Sequence, residues 1–287
     1  MSDALSALIR LLSPEPVGEG VYRGEGSRSD GAPATYGGHF LGQATAAALA
    51  SVDGGRRIHS LHAYFLRGGQ PGEPFDYTVT PLRDGRTFCT RRVTASQGGP
   101  AVFELTASLT RPEDGVPVEG KRPKDFDRLP DPETLPRFTE LMASLDPLPL
   151  PAEWALRERG IDVRVVNAPW AARGLSTSGG IRTWIRADGE LPADPNLHAA
   201  MLAYQSDESI SDNVLVPFGK TWADSDVFCV SLDHAMWYHR PFRMDEWLFV
   251  EQRPVTVAQA RGFARGAVWN RDGQMVASFA QEAVIRV

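Results

Sequence analysis

Cysteine is scarce in this sequence: Cys89 and Cys229 are the only two among 287 residues. Small secreted domains that depend on disulfide bonds carry more cysteines, at regular spacings. Both residues lie in apolar, strand-like stretches, which is typical of buried thiols. We therefore expect two buried free cysteines and a fold that does not rely on disulfide bonds.

Long apolar runs are missing as well. No stretch approaches the roughly 20 residues that a helix needs to cross a bilayer. The first residues, Met1-Ser2-Asp3-Ala4, do not begin the basic region and apolar run of a secretory signal. We expect a protein that has no membrane span and is located in the cytoplasm.

Positive charge is in deficit, since 36 acidic residues outnumber 30 lysines and arginines and the net charge is −6. Binding to nucleic acid needs a strongly positive surface, so we do not expect a nucleic-acid partner.

Gly18-Glu19-Gly20 and Gly24-Glu25-Gly26 do not complete a dinucleotide-binding loop. His59 and His62 are three residues apart in a strand-like segment, where they would point to opposite faces. We predict neither a cofactor nor a metal.

Proline, in contrast, is concentrated in one region. Such a density of prolines breaks regular structure. Nine of them lie between residues 111 and 160: Pro112, Pro117, Pro123, Pro130, Pro132, Pro136, Pro147, Pro149 and Pro151. We predict a connector at 113–160, with at most one short helix near Arg137 to Leu145. It separates an N-terminal half, residues 1–112, from a C-terminal half, residues 161–287.

The two halves repeat one order of elements, a helix followed by long antiparallel strands. The helices are predicted at 40–52 and from Asp194-Pro195, an N-cap and first-turn pair, to about Ser209. Phe88 recurs as Phe263 and Gly98 as Gly273, in each case 175 positions later. The predicted strands are 57–67, 75–82, 87–96 and 101–110, then 180–187, 227–239, 246–257, 262–269 and 274–287. We interpret this as an internal duplication and predict an α+β double-hotdog fold, in which antiparallel sheets wrap two buried helices and form one continuous sheet.

Three polar residues of the C-terminal half need an explanation. Asp207 ends an otherwise apolar helix, and a carboxylate there is costly unless it is paired or hydrogen-bonded. Asp207 is therefore a candidate for a partly buried base, whereas solvation at the helix end accounts for Glu208. Gln281 lies in the apolar final strand, either solvated at an edge or in a polar pocket with Asp207 and Ser231.

Strand alternation predicts the orientation of the residues around Ser231. It places Ser231 on one face with Cys229 and Trp237, and His234 on the other face with Leu232 and Met236. For His234 and Asp233 we favour a hydrogen-bonded core position without a role in chemistry.

The run Asp233-His234-Ala235-Met236-Trp237-Tyr238-His239-Arg240-Pro241, with Ala280-Gln281-Glu282 and the stretch from Tyr36 to Ala44, resembles the acyl-CoA thioesterase II family. The resemblance covers nearly the whole chain except the connector. It implies a double-hotdog fold, hydrolysis of fatty acyl-CoA and assembly into a homodimer or larger homo-oligomer. The family uses an Asp, a Thr or Ser, and a Gln to position one water, which match Asp207, Ser231 and Gln281.

The duplication also predicts what the first half contributes. The 175-residue offset places Thr106 at the position of Gln281, and Gln43 lies on the equivalent helix. Because no acidic residue appears there, we expect one catalytic half, one structural half and one site per chain.

Two other functions stay open from the sequence. A hydratase or dehydratase acting on acyl-CoA needs a paired Asp and His, and Asp207 has no histidine within four residues. A non-catalytic acyl-CoA-binding protein could keep the same fold. Release of free thiol from acyl-CoA distinguishes hydrolysis from both.

Overall fold

The computed structural model describes residues 2–26, 34–167 and 180–287. Its longer helices are α1 (Asp3–Leu11), α2 (Gly37–Ala50) and α5 (Pro195–Ser206), and the short ones are α3 (Phe138–Ala143), α4 (Ala152–Ala155) and α6 (Asp212–Leu215). The strands are β1 (Glu15–Gly18), β2 (Val21–Gly24), β3 (Arg57–Phe65), β4 (Phe75–Asp84), β5 (Phe88–Ser96), β6 (Ala101–Thr110), β7 (Ile161–Asn167), β8 (Arg182–Ala187), β9 (Phe228–Ser231), β10 (Asp233–Tyr238), β11 (Leu248–Ala258), β12 (Arg261–Trp269) and β13 (Met275–Arg286).

These strands form one antiparallel sheet. Its order is β1-β2-β4-β5-β6-β3-β10-β13-β12-β11-β8-β7, and β9 pairs with β13 as well. The two halves meet in the middle of the sheet, where β3 pairs with β10 and Leu61 lies opposite Met236. The prediction of an α+β double-hotdog fold with one continuous sheet is therefore confirmed.

Corresponding hairpins in the two halves have turns of the same kind. Gly98, between β5 and β6, has φ +67°, and Gly273, between β12 and β13, has φ +76°. This left-handed backbone conformation favours glycine, which has no Cβ. The two glycines that suggested a duplication thus have the same local conformation.

The two central helices are buried and pack against each other. Eleven of the fourteen residues of α2 are buried, which explains its lack of a polar face. The Asp194 carboxylate accepts a hydrogen bond from the Asn196 N–H at 3.0 Å, so the predicted N-cap of α5 is confirmed. A Cβ at Gly42 would lie 3.1 Å from the Tyr204 Cβ, so a small residue in α2 lets α5 approach closely.

The connector contains more regular structure than its prolines predict. The expected helix is present as α3, but the prediction of at most one short helix is wrong, since α4 and two 3₁₀ turns also form. Pro132 lies at the start of a 3₁₀ turn and Pro151 is the N-cap of α4. At a helix start the missing N–H of proline costs nothing, so these prolines begin short helices.

Two further expectations concern cysteines and membranes. Both cysteines are free and buried, as predicted. Among the described residues, no helix is both long enough and apolar enough to cross a bilayer.

Candidate active site

A cavity of about 740 Å³ lies where both central helices meet the C-terminal strands. Its wall is predominantly apolar, with side chains that include Val163, Ile185, Leu202, Val268 and Phe279. The polar side chains in the wall include Asp207, Ser211, Asp212 and Ser231. The N-terminal half also contributes to the wall, through Gly37, Phe40 and Phe65 among others. The cavity therefore joins a long apolar surface to a small group of polar side chains.

Asp207 is the C-cap of α5 and is only 9% exposed. Its carboxylate meets the first turn of α2, where the Gly38 N–H donates to it. The other oxygen, Oδ1, has no hydrogen-bond partner in the described part of the chain. Burial raises the pKa of Asp207 to about 6, and hydrogen bonds from the Gln281 side chain and Gly38 oppose this rise. A carboxylate with a pKa near neutrality can accept a proton effectively at physiological pH.

Gln281 and Ser231 are in direct contact. The Gln281 Nε2 donates to the Ser231 Oγ at 2.8 Å and to the Ser211 Oγ at 2.9 Å. Gln281 is 2% exposed and lies behind the two serines, whereas Ser231 and Ser211 face the cavity. The three residues predicted from the sequence, Asp207, Ser231 and Gln281, thus lie together at one end of the cavity.

The alternation predicted around Ser231 is wrong, because the strand is interrupted at Leu232. Ser231 in β9 pairs with Ala283, while Ala235 in β10 pairs with Ala280. The β9–β10 side of this ladder therefore contains one extra residue, as in a β-bulge. Beyond that residue, each side chain lies on the face opposite to the one that simple alternation predicts. Ser231 and His234 consequently lie on the same face, and the His234 Nδ1 is 2.5 Å from the Gln281 Oε1.

Glu208 is also placed differently from the expectation. It is not solvated at the helix end but forms a buried ion pair with Arg159 of the connector, with an Nη1–Oε1 distance of 2.5 Å. The Gln205 Nε2 donates to its second oxygen at 2.6 Å. This pairing compensates the Glu208 charge beside Asp207 and anchors the connector to the end of α5.

Asp212 is a second carboxylate in the cavity wall. The Trp222 Nε1 donates to its Oδ1 at 2.6 Å. Burial raises the pKa of Asp212 to about 6, and its charge contributes to the raised pKa of Asp207. Sequence reasoning missed both Asp212 and Ser211; the signal available was the cluster of polar residues that directly follows Asp207.

The assignment of Thr106 as the counterpart of Gln281 is wrong by one residue. In both halves the pairing of the last hairpin shifts register near the turn. The shift follows the pair Ala95–Phe103 in the β5–β6 hairpin and the pair Val268–Ala277 in the β12–β13 hairpin. Counting from these pairs makes Ala107, which is buried, the counterpart of Gln281. Gln43 lies outside the site, where its Nε2 donates to the carbonyl oxygens of Leu11 and Glu25 at 2.6 and 3.0 Å.

The N-terminal half nevertheless takes part in the site. A Cβ at Gly37 would lie 2.6 Å from the Asp207 Oδ2, so α2 begins in direct contact with the carboxylate. The N-terminus of a helix carries a partial positive charge, which favours a nearby anion. The half that was expected to be structural therefore supplies the surroundings of Asp207.

Comparisons with known proteins agree over both halves. Two family profiles match, the acyl-CoA thioesterase N-terminal domain over residues 25–110 and the acyl-CoA thioesterase C-terminal domain over residues 122–285. Acyl-coenzyme A thioesterase 8 of Mus musculus is 33% identical over 296 residues, which cover 99% of this chain and 91% of the relative. Acyl-CoA thioesterase 2 of Haemophilus influenzae is 32% identical, with 100% of this chain and 99% of the relative covered.

Solved structures give the same result. The acyl-CoA thioesterase II of Mycobacterium marinum superposes with a TM-score of 0.77 at 31% identity, over 96% of this chain and 97% of that one. The TesB protein of Mycobacterium avium subspecies paratuberculosis superposes with a TM-score of 0.78 at 27% identity, over 99% and 100%. By its sequence, its strand order and its paired halves, this chain belongs to the acyl-CoA thioesterase family.

Proposed function

We propose that this protein hydrolyses acyl-CoA thioesters to a free fatty acid and CoA, with a water molecule activated by Asp207. The observation that carries the proposal is the Asp207 carboxylate itself. It is buried at the end of an apolar cavity, has one oxygen without a partner among the described residues, and has a pKa of about 6. The relatives named above supply the substrate class, since they are described as acyl-CoA thioesterases.

Hydrolysis of a thioester needs no strong nucleophile, because the thiolate is a good leaving group. In the proposed mechanism the water oxygen attacks the thioester carbonyl carbon while Asp207 accepts a proton from the water. The tetrahedral intermediate then breaks its C–S bond and releases the CoA thiolate. The first turn of α2 faces the same end of the cavity, and its partial positive charge would stabilise the oxyanion of the intermediate.

Ser231 and Gln281 have separate tasks in this proposal. Ser231 faces the cavity and would hold the water beside Asp207. Gln281 lies behind it and would orient both the Ser231 hydroxyl and the Asp207 carboxylate through its amide. The apolar wall of the cavity, which includes Val163 and Leu202, would take up the acyl chain.

The other functions are less well supported by this geometry. A hydratase would need a histidine paired with the carboxylate, but both ring nitrogens of His234 face other partners, Gln281 and Ser206. Direct attack by Asp207 on the thioester, through an anhydride, is a second route to the same products. The cytoplasmic location and the homodimer or larger homo-oligomer stay predictions.

The test is thiol release from acyl-CoAs of graded chain length by purified protein. We expect release by the wild type and a loss of about 10²–10⁴-fold in kcat for Asp207→Asn, which removes the base. The same variant should be at least as stable as the wild type above pH 6, because it no longer ionises a buried carboxylate. Hydration of an enoyl-CoA without thiol release, or binding without turnover, would contradict the proposal.

A further inference from the structure

Gln281 contacts His234 on one side and two serines on the other. Its Oε1 lies 2.5 Å from the His234 Nδ1, and its Nε2 lies 2.8 Å from the Ser231 Oγ and 2.9 Å from the Ser211 Oγ. An amide oxygen and an amide nitrogen are similar in size, so shape alone does not fix which end faces which neighbour. The hydrogen-bond donors and acceptors around the amide must decide its orientation.

The Asp207 carboxylate favours the amide nitrogen on its own side of Gln281, and His234 is the group that faces the opposite end of the amide. The imidazole is 1% exposed and stacks on Phe279, with ring centroids 5.9 Å apart. Burial lowers the pKa of His234 to about 4, so the ring is neutral near pH 7 and carries one N–H. The proton is therefore either on Nδ1, beside Gln281, or on Nε2, which lies 2.9 Å from the Ser206 Oγ.

Ser206 lies at the other end of the imidazole and has a single hydroxyl proton. Its hydroxyl can donate to the His234 Nε2 or to the Ala203 carbonyl oxygen, which is 2.8 Å away in the same helix. When the hydroxyl donates to Nε2, the ring proton is on Nδ1 and donates to the Gln281 Oε1. The Gln281 Nε2 then donates to Ser231, which leaves the Ser231 O–H free to point into the cavity.

The alternative arrangement has the opposite consequence. With the proton on Nε2, the His234 Nδ1 is an acceptor, and the Gln281 amide must turn its nitrogen toward it. Its oxygen would then face Ser231 and Ser211, whose hydroxyl protons would be used to satisfy it. A Ser231 hydroxyl that donates to this oxygen has no proton left for a water or a substrate in the cavity.

We propose that His234 is a positioning residue, which fixes the Gln281 amide so that it donates to Ser231 and leaves the Ser231 hydroxyl available to the reaction. This inference rests on the proposed function of the same site. It assigns a task to the residue that links Ser206, at the end of α5, to Gln281 in β13. His234 is not part of the cavity wall.

Substitutions of His234 test the proposal. In His234→Leu no donor remains for Oε1, so we expect kcat to fall by about 10–100-fold with little change in KM. In His234→Asn the side-chain nitrogen can occupy the place of Nδ1, and kcat should recover to within a few-fold of the wild type. The matched control is His239→Leu, which removes an exposed histidine bonded to Ser278 on the outer face and should leave kcat unchanged.

A double-mutant cycle excludes a merely structural role. If His234 acts through Gln281, adding His234→Leu to Gln281→Ala should cost no further activity. Equal losses in the two backgrounds, or no rescue by His234→Asn, would overturn the proposal.

A second measurement does not depend on catalysis. The ¹⁵N chemical shifts of the His234 ring in the wild-type protein report which nitrogen is protonated, and we expect protonated Nδ1 and bare Nε2. The opposite tautomer would overturn the inference even in a fully active enzyme. Absence of thiol release from the wild type, with Nδ1 protonated, would instead contradict the proposed function alone.

Discussion

At the residue scale, the cavity is faced by two carboxylates, the buried Asp207 and the half-buried Asp212. Burial raises the pKa of each to about 6. Since the negative charge of Asp212 disfavours ionisation of Asp207, the pKa of Asp207 is higher than it would be without Asp212. The proposed base is consequently ionised only above about pH 6.

This predicts the pH dependence of the reaction. Because the base must be ionised, kcat should fall tenfold per pH unit below about pH 6 and reach a plateau above it. Asp212→Asn removes one neighbouring charge, so its acid limb should move to lower pH while the plateau activity stays. The measurement is thiol release between pH 4.5 and about 8, as kcat and kcat/KM. A limb that vanishes in Asp212→Asn would identify Asp212, not Asp207, as the ionising group.

The sequence predicted which side chains lie together, but not on which face of the sheet each one lies. Asp207, Ser231 and Gln281 were candidates because polar groups in apolar segments need partners, and the resemblance to the thioesterase family selected them as a group. The orientation of His234 could not be predicted, because the order of apolar and polar residues around Leu232 does not reveal the extra residue in the strand. The same limit explains the assignment of Thr106: a one-residue register shift moves a side chain to the opposite face of the sheet.

At the scale of elements, the site lies where the ends of two helices come together. The N-terminus of α2 brings Gly37 and Gly38 against the C-terminal end of α5, where a Cβ on Gly38 would lie 2.2 Å from the Tyr204 carbonyl oxygen. The Tyr36 hydroxyl donates to the same carbonyl oxygen at 3.0 Å. Small residues at this junction let the main chain of one half approach the carboxylate of the other.

Gly37→Ala should therefore damage catalysis. Its new methyl group would collide with the Asp207 Oδ2 and displace the carboxylate. A shift of about 1 Å in a reacting group can cost about 10²-fold in rate, and we expect a loss of that order in kcat. Thiol release and thermal unfolding measure the effect and check the fold.

Gly54→Ala is the matched control for this substitution. Among the described residues nothing lies within 4 Å of a Cβ at that position, so activity and stability should both be retained. Full activity of Gly37→Ala would mean that the carboxylate does not need this close approach.

The sequence predicted the long helices and strands correctly, because their residue patterns are long. It did not predict the segments that are short or that contain buried charged residues. The helices at 37–50 and 195–206 and the long hairpins follow from composition, turns and capping. The four-residue strands β1 and β2 contain glycine and proline, which are tolerated at a sheet edge. In strand β7, Asp162 is buried although both of its neighbours are buried too, which alternation does not predict; its carboxylate pairs with Arg164 at 2.7 Å.

At the scale of the whole molecule, the two halves form one structural unit, although the sequence suggests two domains. They share the sheet through the pairing of β3 with β10, and α2 packs on α5. The connector packs on the C-terminal half, where Phe126 lies against Trp184, Trp247, Phe249 and Trp269. Because Gly38 in one half contacts Asp207 in the other, the site depends on their association and not on the covalent link between them.

Cleavage of the chain at Asp114 to Val116 tests this directly. Residues 111–120 are exposed and have no regular structure, so a protease site placed there should be cut without disturbing the sheet. We expect the cut protein to elute at the volume of the intact one and to keep its kcat, because the β3–β10 ladder and the helix contact hold the fragments together. Denaturant should then separate them. If the fragments part under native conditions, or if activity falls on cutting, the connector and not the shared sheet and helices maintains the site.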